Sequence, residues 1–155
     1  MTVRPDGVSS SPIRRALDLA AEAAARGEVP VGAVVMRGAR EVASAANLMV
    51  GANDPTAHAE IVALRRAGQA LGTSRLDDCD LWVTLEPCAM CAAAIGLARI
   101  RRLYFAAPDP KGGAVLHGPR LYGQPTCHHR PEVYAGIGEE MSAALLRDFF
   151  AERRS

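Results

Sequence analysis

Lysine is almost missing from this sequence. Lys111 is the only one among 155 residues, so arginine supplies nearly all of the positive charge. The net charge is only +1, so the whole-chain balance neither favours nor excludes a nucleic-acid partner, and any electrostatic footprint must be local. No apolar run approaches the length of a membrane span. The segment Met1 to Pro12 is polar, with Ser9-Ser10-Ser11 and no apolar core of a secretory signal, and it reads as a flexible tail. Four cysteines in a chain of this size, without such a signal, point to a reducing cytoplasm rather than to a disulfide framework. Internal repeats and domain-boundary signals are also missing. What remains is one soluble domain over residues 13–155, in a chain with 49% apolar and 23% charged residues, large enough to bury its own core.

The pattern of apolar residues predicts the order of elements. Ile13, Ala16, Leu17, Ala20, Ala21 and Ala24 recur at helical spacing, with Gly27 as a stop. Val29 to Met36 is a near-continuous apolar run, as in a strand covered on both faces, and Glu41 to Leu48 returns from it as a hairpin. A second helix is expected from about Ala57 to Ala70, entered through Asp54-Pro55-Thr56, with Asp54 or Thr56 as its cap. Leu81 to Leu85 reads as a strand, Pro87 to about Leu97 as a short helix, and Ile100 to Ala106 as another strand. Val115 to Val133 is ambiguous, with a short strand or two among turns. Glu139 to Arg153 closes the chain as a helix with Met141, Leu145, Leu146, Phe149 and Phe150 on its apolar stripe. Strand-helix-strand units call for parallel pairing with helices on both faces, and the hairpin makes the sheet mixed.

The chemistry is concentrated in two places. His58-Ala59-Glu60 opens the second helix, and Pro87-Cys88-Ala89-Met90-Cys91 opens the third. Alone, His-Ala-Glu suits a solvated helix face, and Cys-x-x-Cys suits a redox pair. Together they offer one imidazole and two thiolates, a three-ligand zinc set that leaves a fourth position open for water, as in catalytic rather than structural sites. Cys88 and Cys91 fall on one side of a helix start, where the dipole and free N–H groups favour thiolate. Glu60 lies two residues from His58, about 200° away on a regular helix, and is therefore assigned to the water as general acid/base rather than to the metal.

The order His-x-Glu followed by Pro-Cys-x-x-Cys is that of the zinc nucleobase deaminases. With Gly27 to Val34, Asp54-Pro55-Thr56-Ala57, Val83-Thr84-Leu85-Glu86, Asp109 to Ala114 and Leu145 to Phe150, the chain resembles the cytidine deaminase-like superfamily. Within that superfamily it resembles the bacterial tRNA-specific adenosine deaminases, from about Ile13 to Arg154. The resemblance implies an α/β fold, a three-layer α/β/α architecture with a mixed five-stranded sheet, and a homodimer. It implies one Zn2+ per subunit on His58, Cys88 and Cys91, with Glu60 as the proton shuttle. The implied reaction is adenosine to inosine at the wobble position of a tRNA anticodon. By position, Asn47 would hydrogen-bond the purine, Val29 and Pro30 would wall the pocket, and the Cys88 backbone N–H with the carbonyl side of Leu85 or Glu86 would help hold the base and water. Asp109 and Lys111 would touch the flipped nucleotide. A deaminase of free guanine or cytosine on the same fold is the alternative, and a non-catalytic zinc subunit is a third reading that Glu60 argues against. Cys127, His128 and His129 read as a folded turn near the site rather than a second metal centre, with His129 within reach of RNA.

Overall fold

A computed structural model describes residues 11–154. Most of the expected tail therefore lies outside the described residues. Its last two members, Ser11 and Pro12, open a helix instead. Helix α1 spans Pro12–Ala25, with the Ser11 hydroxyl accepting from the Arg14 N–H at 3.2 Å and Pro12 pre-set for the first turn. It buries Ile13, Ala16, Leu17, Ala20 and Ala23, a stripe of mostly small side chains. That stripe lets the sheet come close: a Cβ on Gly32 would stand 2.0 Å from the Ala16 carbonyl oxygen.

Strands β1 (Gly32–Arg37) and β2 (Arg40–Ala46) form the expected hairpin, with a bulge between Val35 and Met36. Helix α2 (Ala59–Leu71), β3 (Asp80–Leu85), α3 (Ala89–Leu97) and β4 (Arg102–Ala107) follow. The ambiguous region resolves into a 3-10 turn at Leu121–Gly123 and a short strand β5 (Glu132–Ala135), and α4 (Glu139–Arg154) ends the described chain. The five-stranded sheet has the order β2-β1-β3-β4-β5. The last three strands run parallel, and β1 is antiparallel to both of its neighbours.

Alternation along the strands separates two apolar layers. Ala33 and Val35 join Ala63, Ala67, Ile95, Leu103 and Phe105 beneath α2 and α3, whereas Val34 and Ala106 join Ile13, Ala16 and Leu17 of α1. Leu145 of α4 packs on the second layer, which completes α/β/α. On that same face Trp82, Tyr104 and Tyr134 sit at matched register across β3, β4 and β5. Their rings are stacked at centroid spacings of 3.8 and 5.0 Å.

Helix α4 departs from the expected stripe. Phe149 is buried, but Met141 and Phe150 are each 46% exposed. The helix lies mainly along β4 and α1, so only a narrow strip is covered. Within that strip Ser142 is buried and donates to the Thr84 carbonyl at 2.5 Å.

Topology fixes where a site can form. Gly32 pairs with Ala46, Ala33 with Val83, and Leu85 with Ala107. The amino end of β1 and the carboxyl ends of β2, β3 and β4 therefore meet at one edge of the sheet. Parallel strands place ligand sites at such an edge.

Candidate active site

The two helices that begin with the candidate metal donors, α2 and α3, start at that edge. His58 is the residue that caps α2, with extended backbone (φ −67°, ψ 152°), and Cys88 caps α3 in the same way (φ −72°, ψ 176°). Neither belongs to a first helical turn, which corrects the helical-wheel argument for His58 and Glu60. An extended cap residue points its side chain along the helix end instead of around the axis. Asp54 and Thr56 do not cap α2 either, because the Asp54 carboxylate folds back onto the Thr56 N–H and hydroxyl at 2.8 and 2.7 Å. The cap comes from a neighbouring strand: Asn47, at the end of β2, accepts from the Ala59 N–H through Oδ1 at 2.8 Å.

His58 Nδ1 stands 3.6 Å from Cys88 Sγ and 3.4 Å from Cys91 Sγ. A tetrahedral zinc with Zn–S of about 2.3 Å and Zn–N of about 2.0 Å needs N···S edges of about 3.5 Å. The donor chemistry and the spacing both fit zinc. Among the described residues this is the one compact set of three such donors, and Cys127, His128 and His129 do not form a second. Those residues are tied up elsewhere: the Cys127 thiol donates to the His129 carbonyl at 3.2 Å, and His129 Nε2 donates to the Ile100 carbonyl at 2.7 Å.

The thiols prepare the site electrostatically. The Cys91 thiol hydrogen-bonds Cys88, which lowers Cys88 to about 5 and pushes Cys91 upward. Ligation requires both thiols to give up their protons. Glu60 lies outside the ligand set and is 4% exposed. Burial raises its carboxyl to about 7, against the lowering pull of its own backbone N–H. A group poised there can take and return protons near neutrality.

Residues 9–107 match the sequence family described as the cytidine and deoxycytidylate deaminase zinc-binding region. A tRNA-specific adenosine deaminase of Agrobacterium fabrum is 57% identical over 139 residues, covering 90% of this chain and 91% of that protein. The chain belongs to the tRNA-specific adenosine deaminases. A solved structure from a study of A-to-I editing by tRNA:A34 deaminases at the wobble position superposes with a TM-score of 0.83 at 56% identity, covering 84% of this chain and 95% of that one. The guanine deaminase of Bacillus subtilis superposes with a TM-score of 0.64 at 32% identity, covering 93% and 92%.

The other residues singled out from the sequence fall around this edge of the deaminase. Val29 is half-buried and Pro30 fully buried in the approach to β1. Leu85, half-buried, ends β3 two residues before the helix entry at Pro87. Asp109 and Lys111 lie on the loop after β4, where the Asp109 carboxylate accepts from the Lys111 and Gly112 N–H groups at 3.2 and 3.0 Å. Arg101 and Arg102 at the start of β4 are paired with Asp80 and Glu132.

Sequence reasoning missed two buried carboxylates in this deaminase. Glu28 accepts from the Val50 and Gly51 N–H groups at 3.1 and 2.7 Å, pinning the loop that leads to His58. Glu86 accepts five hydrogen bonds, from the N–H groups of Asp109, Val115, Leu116 and His117 and from His117 Nδ1. Burial pushes its pKa up, but the loop N–H groups and His117 more than offset that, and the net shift is downward. The available signal was a charged residue between an apolar strand and the Pro-Cys turn, a place where an unpaired carboxylate would be costly.

Proposed function

We propose that this chain hydrolytically deaminates adenosine to inosine at the wobble position of tRNA anticodons, with Glu60 as the proton shuttle. The observation that carries this reading is the compact His58, Cys88 and Cys91 set with a buried carboxyl near pKa 7 beside it. Zinc held by those three residues, one ion per subunit, supplies the Lewis acidity that makes water nucleophilic at neutral pH.

The chain's own groups do the rest. Glu60 accepts a proton from the attacking water and delivers it to N1 of adenine, so that C6 takes the hydroxyl. The same carboxylate then moves the hydroxyl proton to the exocyclic amine. The C6–N bond breaks, ammonia leaves, and the ring is left as hypoxanthine. Asn47 uses Oδ1 on the Ala59 N–H, which leaves its amide nitrogen to donate to a ring acceptor of the purine. Val29 and Pro30 wall the base, Leu85 offers its carbonyl side, and Asp109 and Lys111 meet the flipped nucleotide. A target in a single-stranded loop keeps the cost of flipping low.

The working unit is a homodimer in the cytoplasm. A groove of about 630 Å³ between α2 and α3, lined by Ile61, Leu64, Leu76 and Leu97, supports the dimer. Leu97 there is 81% exposed. Cys79, Cys88, Cys91 and Cys127 are all free thiols, which suits a reducing compartment. No described helix is long and apolar enough to cross a membrane.

The likeness to guanine deaminase keeps free-base deamination as the second reading. Purified protein is incubated with an anticodon stem-loop carrying adenosine at the wobble position. Free adenosine, adenine, guanine, cytosine and cytidine are tested in parallel, and ammonia and inosine are measured. Release from the stem-loop is expected. Release confined to the free compounds overturns the reading.

A further inference from the structure

The Glu86 side chain has no solvent exposure, yet it sits between strand β3 and the Pro87-Cys88 entry to the metal helix, where an apolar residue would pack. A buried carboxylate is retained only where its lone pairs are satisfied. Here the partners come from a single loop. Oε2 receives three successive N–H groups, from Val115, Leu116 and His117, at 3.1, 2.9 and 3.2 Å. Consecutive backbone N–H groups converging on one point form an anion-binding nest. Oε1 receives the Asp109 N–H at 3.0 Å and His117 Nδ1 at 2.7 Å. One carboxylate therefore grips both ends of the segment that carries Asp109 and Lys111.

The backbone repeats the attachment. The Glu86 N–H donates to the Ala107 carbonyl at 2.8 Å, and the Ala114 N–H donates to the Pro87 carbonyl at 2.9 Å. Space is tight as well. A Cβ on Gly113 would lie 2.4 Å from Glu86 Cδ and 2.5 Å from the Asp109 carbonyl oxygen, so only glycine fits against the clamp.

We propose that Glu86 is a positioning residue for the substrate. Its carboxylate, seated in the nest of residues 115–117, fixes the 109–117 loop to the start of the helix that carries Cys88 and Cys91. The face that meets the nucleotide is thereby held in register with the metal ligands. His117 is the outer jaw of the clamp and acts through Glu86. The assignment rests on the proposed function only in that the loop meets substrate.

The test uses the full-length zinc-loaded protein and the variants Glu86→Gln, His117→Ala and the double variant. Ser142→Ala serves as a control that removes a buried hydrogen bond between α4 and β3 without touching the partners of the 109–117 loop. The readouts are zinc content, melting temperature, and kcat and KM on whichever substrate the wild type turns over. Glu86→Gln turns donors toward donors. It is expected to keep its zinc and lose kcat/KM on the order of 100-fold, mostly through KM, as misplacement of about an ångström does. His117→Ala is expected to raise KM less, and the double variant to be no worse than Glu86→Gln, because the two residues act as one unit. Ser142→Ala is expected to lower the melting temperature with KM unchanged. Unchanged KM in zinc-loaded Glu86→Gln overturns the proposal, as does a double variant with multiplied losses. If Glu86→Gln fails to fold, His117→Ala decides: unchanged KM there overturns the proposal too. A wild type active on free bases alone removes the wobble reading while leaving this comparison intact.

Discussion

Glu60 and Asp54 are two carboxyls on one approach to the metal, and their surroundings drive them apart. Burial lifts Glu60 to about 7. Glu60→Ala is expected to retain zinc and lose turnover by at least about 10²- to 10⁴-fold, the range of general acid–base catalysis. His58→Ala and Cys88→Ala are expected to lose the metal itself. Metal analysis beside an ammonia assay separates the two outcomes, and full activity in metal-loaded Glu60→Ala would sink the shuttle. Asp54 is held below its ordinary value by the Thr56 hydroxyl and N–H. A carboxyl depressed in the folded state stabilises the fold above its unfolded pKa of 3.8, and that contribution fades as pH falls through the folded value. Asp54→Asn is therefore expected to lower the urea midpoint at pH 7, with the gap to wild type closing as pH drops below 3.8.

At the scale of elements, the close seating of α1 on β1 depends on having no side chain at Gly32. Gly32→Ala would drive a methyl into the Ala16 carbonyl, and the forced shift is expected to cost about 1–3 kcal/mol in equilibrium denaturation. A variant as stable as wild type would show that the contact is absent in solution. Helices α1 and α2 were legible in the sequence because each carries an apolar period and a local stop, such as Gly72 in left-handed conformation after α2, whereas the central strands showed as continuous apolar runs and α3 through the Pro87 entry. The His58, Cys88 and Cys91 cluster was legible because a zinc donor set is short and chemically restrictive. The parts that were not legible depend on contacts distant in sequence. Asn47 caps a helix from another element, so no local pattern announced it. Strand β5 is four residues long, and its pairing with β4 is set by the sheet rather than by its own pattern. The burial of Glu86 was not legible because its partners lie more than twenty positions away. The exposed side of α4 was misread because amphipathic spacing does not reveal how much of a stripe finds a partner.

For the whole molecule, one antiparallel strand inside an otherwise parallel sheet gathers the site. Because β1 runs against β3, its entry at Val29 and Pro30 meets the exits of β2, β3 and β4. Chemistry from four connections thereby reaches one mouth without a long insertion. The α2–α3 groove lies outside that mouth, and its exposed Leu97 is where the proposed dimer is tested. Leu97→Arg is expected to shift the protein to monomer in analytical ultracentrifugation. A dimer that survives unchanged would move the interface elsewhere.

The aromatic stack across β3, β4 and β5 gives the protein an optical property. Trp82 is the sole tryptophan, and its indole lies nearly flat on Tyr104 at 3.8 Å, with Tyr134 beyond it. Its emission thus reports on one place, the seam between the parallel strands. Tyr104 and Tyr134 feed the same fluorophore most efficiently while those strands remain paired, with Tyr122 adding a contribution from outside the stack. Tyrosine-sensitised emission from Trp82 is therefore a built-in gauge of sheet opening. Compared with zinc release in the same melt, it would tell whether the metal leaves before the seam parts or along with it.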